Sequence, residues 1–113
     1  MSQKVSKKIA EIEAATGDCI IINEAELLHA LHEHFEILPR EILLELIEII
    51  LKEPTSVYED IQKHIYHLFY RLENKRYLVA IVKKSPSGNF FCTAYPTGKS
   101  IRNKHKNLKK VKL

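Results

Sequence analysis

Hydrophobic and polar positions alternate most clearly in the last third of the chain. In Asn89-Phe90-Phe91-Cys92-Thr93-Ala94-Tyr95-Pro96-Thr97, aromatic and β-branched residues follow a Gly88-Asn89 turn signal and stop at a proline. That is the pattern of a final strand. Before it, Tyr77-Leu78-Val79-Ala80-Ile81-Val82 is apolar on both parities, as a central strand should be, and predicts a strand over 76–84. Residues 66–72 are aromatic enough for a further strand, although Ile61, Ile65, Leu68, Phe69 and Leu72 also satisfy helical spacing. Glu73-Asn74-Lys75 and Ser85-Pro86-Ser87-Gly88-Asn89 supply the turns. Val57-Tyr58 fits either a short strand or the start of a helix.

The first half carries helical periodicity. Val5, Ile9 and Ile12 recur at helical spacing and Gly17 suits a residue just past a helix end, which predicts a helix over about 4–15. Cys19-Ile20-Ile21-Ile22 is either a strand or the lead-in to the next helix. Asn23 with Glu26 three residues later has the form of a capping box, followed by Leu27, Leu28, Leu31 and Phe35 on one stripe. Pro39 in a first turn opens a third helix that carries Ile42, Leu43, Leu46, Ile47, Ile50 and Leu51 inward and stops before Pro54. The expected fold is α+β. N-terminal helices over about 4–53 pack on one face of a C-terminal antiparallel sheet of three to four strands over about 57–97. Residues 1–98 form the single domain and 99–113 a basic tail.

Pairing Leu72 with Arg76 and Lys84 with Phe90 assigns the strand faces. His67, Arg71, Lys83, Phe91, Thr93 and Tyr95 then share one side. The other side receives Tyr66, Leu68, Tyr70, Leu78, Ala80 and Val82, together with Phe90, Cys92 and Ala94, and forms the floor for the helices. A slip of one residue in either turn exchanges these sets.

Charge sharpens the picture. The net +4 divides into 13 acids against 6 Lys or Arg in residues 1–70 (−7), and one acid against 12 Lys or Arg in residues 71–113 (+11). Such a division makes a field, and the C-terminal half attracts polyanions. The tail alone is open to two readings, a solvated segment or a nucleic-acid contact. No apolar run approaches membrane-spanning length, and Met1–Lys8 has no signal-peptide core, so the expected location is cytoplasmic, or the cytoplasm of a target cell after delivery. Cys19 and Cys92 have no metal-ligand spacing and read as buried thiols, with a single disulfide as the alternative. His29 and His32 stand at i,i+3, but no further ligand follows at recognisable spacing beyond Glu33 or Glu36, so neither metal nor cofactor is expected.

A helix ending in Leu51-Lys52-Glu53-Pro54, then Val57-Tyr58, the strand Tyr77–Lys84 and the closing Phe91-Cys92-Thr93-Ala94-Tyr95-Pro96 form an ordered pattern over about residues 27–97. This pattern resembles the phage, polymorphic-toxin and colicin D-like branches of the barnase–EndoU–colicin–RelE superfamily. The colicin D-like branch has a Lys-x-Lys-His run on its helix, where this chain reads Leu31-His32-Glu33-His34-Phe35. The resemblance implies a metal-independent, toxin-type endoribonuclease acting on RNA, tRNA among the substrates. A ribose 2′-hydroxyl attacks the adjacent phosphate and leaves a 2′,3′-cyclic phosphate. On this chain it implies His34 or His32, with His29 a further candidate, acting with Thr93 and Tyr95 of the last strand. Helices should cover the face opposite Thr93, so a histidine must reach round the sheet edge, which favours His34 near the end of its helix. His67 is the rival, expected on the Thr93 face itself. Lys83, Lys84 and Arg71 would supply charge to phosphates, while Phe91 and Tyr95 stack on bases. A toxin also implies a cognate inhibitor, immunity or antitoxin protein. Two other classes stay open: an RNA-binding module without catalysis, and an immunity-type interaction domain using the acidic half.

Overall fold

The computed structural model describes residues 7–60, 66–98 and 108–113. In chain order the elements are strands β1 (Lys8–Glu13) and β2 (Cys19–Asn23), helices α1 (Glu24–His34) and α2 (Arg40–Lys52), and strands β3 (Ser56–Asp60), β4 (Tyr66–Glu73), β5 (Arg76–Ser85), β6 (Gly88–Thr97) and β7 (Leu108–Val111). The strands form one sheet in the order β1-β2-β6-β5-β4-β3-β7. All its pairings are antiparallel except β2 with β6. This overturns the expected C-terminal antiparallel sheet of three to four strands, because both ends of the chain enter a seven-stranded mixed sheet.

The helix expected over 4–15 is instead a strand where it lies within the described residues. Ala10-Glu11-Ile12-Glu13-Ala14 alternates small or apolar with charged residues, and β1 pairs with β2 as a hairpin. Gly17, at φ 88°, turns the chain rather than ending a helix, and Ala14 N–H bonds to the Asp18 carbonyl at 2.8 Å to close the loop. At the other end, β7 pairs with β3 through Val57–Val111 to Asp60–Leu108, so 108–111 are part of the sheet rather than a solvated tail; residues 99–107 lie outside the described residues.

Asn23 occupies the N-cap of α1 in extended geometry but makes no side-chain cap hydrogen bond, so the expected capping box does not form. The Glu24 N–H is instead satisfied by the Lys7 carbonyl at 2.7 Å. Pro39 is the N-cap of α2 rather than a first-turn residue. That helix turns Leu43, Ile47, Ile50 and Leu51 inward, while Ile42 is 45% exposed, contrary to its expected place in the core. The helical residues meet Ile20, Ile22, Val57, Phe69 and Phe91 in the main core, on one side of the sheet. Each such fully buried aliphatic side chain stabilises the fold by ~1.5–3 kcal/mol. Cys19 is exposed and Cys92 half-buried, and both are free thiols, so neither fully buried thiols nor a disulfide is found.

Two turns decide what the opposite face contains. Asn74 and Lys75 both take positive φ (48° and 67°) in a two-residue turn, which sets Glu73, not Leu72, opposite Arg76. The one-residue difference reverses β4: His67, Phe69 and Arg71 face the helices, and Tyr66, Leu68 and Tyr70 face away. In the second hairpin Ser85 pairs with Gly88, so Phe91, expected on the outer face, falls opposite Val82 in the main core, only 1% exposed, and Phe90, expected beneath the helices, lies on the outer face. The register then shifts at Cys92, which has no partner in the ladder, and Thr93 pairs with Ile81 and Tyr95 with Val79. This β-bulge restores Thr93 and Tyr95 to the face away from the helices.

Candidate functional site

All five tyrosines of the chain share that outer face by register: Tyr58, Tyr66, Tyr70, Tyr77 and Tyr95. Tyr70 is their centre. Its ring meets Tyr58 at 5.7 Å and Tyr77 at 6.3 Å between centroids, both edge to face. Leu68 and Val79 complete a small second core beneath them. The Tyr70 hydroxyl is buried without a hydrogen-bond partner among the described residues. Burial pushes its ionisation far above the usual phenol range, and neighbouring Tyr95 and Tyr58 add to the effect. Burial also raises the Tyr95 phenol. Both hydroxyls therefore stay protonated at neutral pH, as donors rather than phenolates.

A histidine reaches this face from the helical side. β2 pairs with β6 only at Asn89 and Phe90, and α1 packs against β6. The last residue of α1, His34, places its ring 5.7 Å from that of Tyr95, tilted by 50°. Thr93 lies two residues before Tyr95 on the same face, and Lys83, exposed and opposite Phe90, extends that face toward the second hairpin turn. Thr93, Tyr95 and Lys83 thus share one side of the sheet, two hydroxyls and an ammonium, and the His34 imidazole meets that side at Tyr95.

The other six expected site residues stand outside this group. His67 faces the helices at 8% exposure. Burial holds its pKa below the ordinary imidazole value, Lys84 lowers it further, and Glu59 and Asp18 oppose the shift. Lys84 is on the helix-facing parity, 3.3 Å from the Asp18 carboxylate. Arg71 bonds to Glu73 at 3.0 Å and to the Glu53 carbonyl on the helix side. Phe91 is core. His29 and His32 are exposed on α1, and among the described residues no three His, Cys, Asp or Glu side chains converge on a metal position.

His34 also walls a second feature. A cleft of about 510 Å³ opens between the connection from α1 to α2 and the turn from β4 to β5. Its apolar lining comes from Phe35, Ile37, Leu38, Leu78 and Pro96, and its polar rim from Glu36, Glu73, Asn74 and Arg76. Neither this cleft nor the tyrosine cluster is apparent from the expected pairing. The signal for the tyrosines is the Asn74 two-residue turn, since shifting β4 by one position brings Tyr66 and Tyr70 onto the parity of Tyr77 and Tyr95. No family model, curated protein or solved structure matches the chain. Among the described residues no helix is long and apolar enough to cross a membrane.

Proposed function

We propose that the chain is a metal-independent endoribonuclease of toxin type, with His34 as the general base. The observation that carries this reading is the contact of His34 with Tyr95, on the face that also presents Thr93. An imidazole is matched to proton abstraction near neutral pH. In the proposed step the 2′-hydroxyl of an RNA ribose gives its proton to His34 as its oxygen bonds to the adjacent phosphorus. The bond from phosphorus to the 5′-oxygen breaks, and that oxygen is protonated from solvent. The products are a 2′,3′-cyclic phosphate and a 5′-hydroxyl. Thr93, protonated Tyr95 and the Lys83 ammonium donate to the phosphoryl oxygens, where charge accumulates. The tyrosine-lined face offers rings for base stacking.

The cytoplasm of the producing cell or of a target cell is where such an enzyme meets tRNA or mRNA. A producing cell then needs an inhibitor, and an acidic protein covering Lys83 and the tyrosine face fits the charge. The test is incubation with total RNA in excess chelator, with end-group analysis of the fragments. Cyclic phosphate ends that disappear in His34→Ala support the reading. Binding of RNA without cleavage replaces it with the second reading, a stacking module built on the tyrosines.

A further inference from the structure

We infer that the cleft beside His34 is a nucleobase subsite, which seats a base flanking the scissile phosphate; the inference rests on the ribonuclease reading above. Position is the first support. His34 belongs to the cleft wall and also touches Tyr95, so an RNA ribose held at His34 has its neighbouring base at the mouth of the cleft. The second is size and lining. At about 510 Å³ the space lies in the range of pockets that enclose small organic ligands, with apolar walls and a few polar groups at the rim. Ile37, 91% exposed, stands at that rim as a large apolar side chain that a planar ring would cover.

Charge separates a base from a phosphate here. The rim holds two carboxylates, Glu36 and Glu73, beside Arg76, and with Arg71 bonded to Glu73 the charges balance, leaving no net positive charge to hold an anion. Arg71 bonds to Glu73 at 3.0 Å and fixes that carboxylate in place, while the positive φ of Asn74 sets the turn beside it. Phosphate is better served on the other side of His34, by Lys83 and Thr93. Carboxylates accept hydrogen bonds, so the rim selects bases that present amino groups. Adenine, cytosine and guanine carry an exocyclic amino group; uracil offers a single ring N–H between two carbonyls. Arg76 can stack on the ring or donate to its acceptors.

The experiment titrates the full chain with each of the four nucleoside 3′-monophosphates and follows backbone amide shifts. The expected result is a shift of the Ile37, Leu38, Asn74 and Arg76 amides by the adenine, cytosine and guanine nucleotides. Uridine 3′-monophosphate should bind about tenfold more weakly, and Glu36→Gln or Arg76→Ala, checked for unchanged folding, should each weaken binding of the amino-bearing nucleotides about tenfold. Shifts confined to other regions, or uridine binding as tightly as the rest, overturn the subsite. A parallel digestion of a random-sequence RNA pool in chelator separates the two levels. Cleavage without depletion of uracil beside the cut removes the subsite and leaves the nuclease. Cleft shifts without any cleavage remove the nuclease and leave a base-binding cleft.

Discussion

His34 and His67 are the same side chain in opposite surroundings, and they should fail in opposite ways. His34 is exposed beside Tyr95, so its loss should cost chemistry and little stability. His34→Ala is expected to lower cleavage of bulk RNA by about 10²–10⁴-fold, while His32→Ala, exposed on the same helix, stays near the unsubstituted rate. Equal losses in both would remove His34 from its role. His67 is buried with its pKa held below the ordinary value of 6.5, chiefly by desolvation. The unfolded chain takes up that proton first as pH falls, so the contribution of neutral His67 is complete above about 6.5 and shrinks as the solution is acidified below it. Urea midpoints between pH 7.5 and 5.5 should therefore fall, and His67→Asn should flatten that slope. At this scale Thr93 and Tyr95 are legible from alternation because the bulge at Cys92 cancels the one-residue error in the second turn. His67, Arg71 and Phe91 are not, since nothing local cancels the slips that place them.

Elements differ in how strongly their own residues determine them. β5 and β6 are readable because apolar runs are cut cleanly by turn residues, and α2 because its stripe is continuous. β1 is not, since Val5, Ile9 and Ile12 mimic a helix, and only pairing with β2 rewards the Ala10-Glu11-Ile12-Glu13 alternation. β7 is a four-residue edge strand with two lysines, a composition that guards edges against further pairing and reads locally as a tail. The turn between β4 and β5 carries the most consequence, because its length sets which face receives the tyrosines. Its second residue, Lys75, holds φ 67°, a position where glycine is the natural occupant. Lys75→Gly is expected to raise stability by roughly 0.5–1 kcal/mol, and Lys75→Val to lower it by at least as much, read from denaturant midpoints at constant m-value. A destabilising glycine would mean that this turn, and the register built on it, differs from the geometry described.

At the scale of the whole molecule, acids concentrate in the helical layer. α1 and α2 carry Glu24, Glu26 and Glu33, then Glu41, Glu45 and Glu48, so a polyanion is repelled from the helical layer. Lys83 and Lys110 stand instead on the parity of the tyrosines, on β5 and on the edge strand β7, so RNA lying across the outer face passes both. Each phosphate contact on a single strand contributes about 0.7 to the slope of log affinity against log salt. Lys83→Gln and Lys110→Gln should therefore each reduce that slope by about 0.7, and together by about twice that. Lys52 is the internal comparison: it is a helical cation whose ammonium lies 2.8 Å from Glu48, and Lys52→Gln should leave the slope unchanged. Binding of a non-cleavable oligonucleotide across a salt series, followed by intrinsic tyrosine emission in this tryptophan-free chain, reads both effects in one measurement. A slope that changes with Lys52 and ignores Lys83 and Lys110 would put the nucleic acid on the helical side, where neither the tyrosines nor Thr93 can meet it.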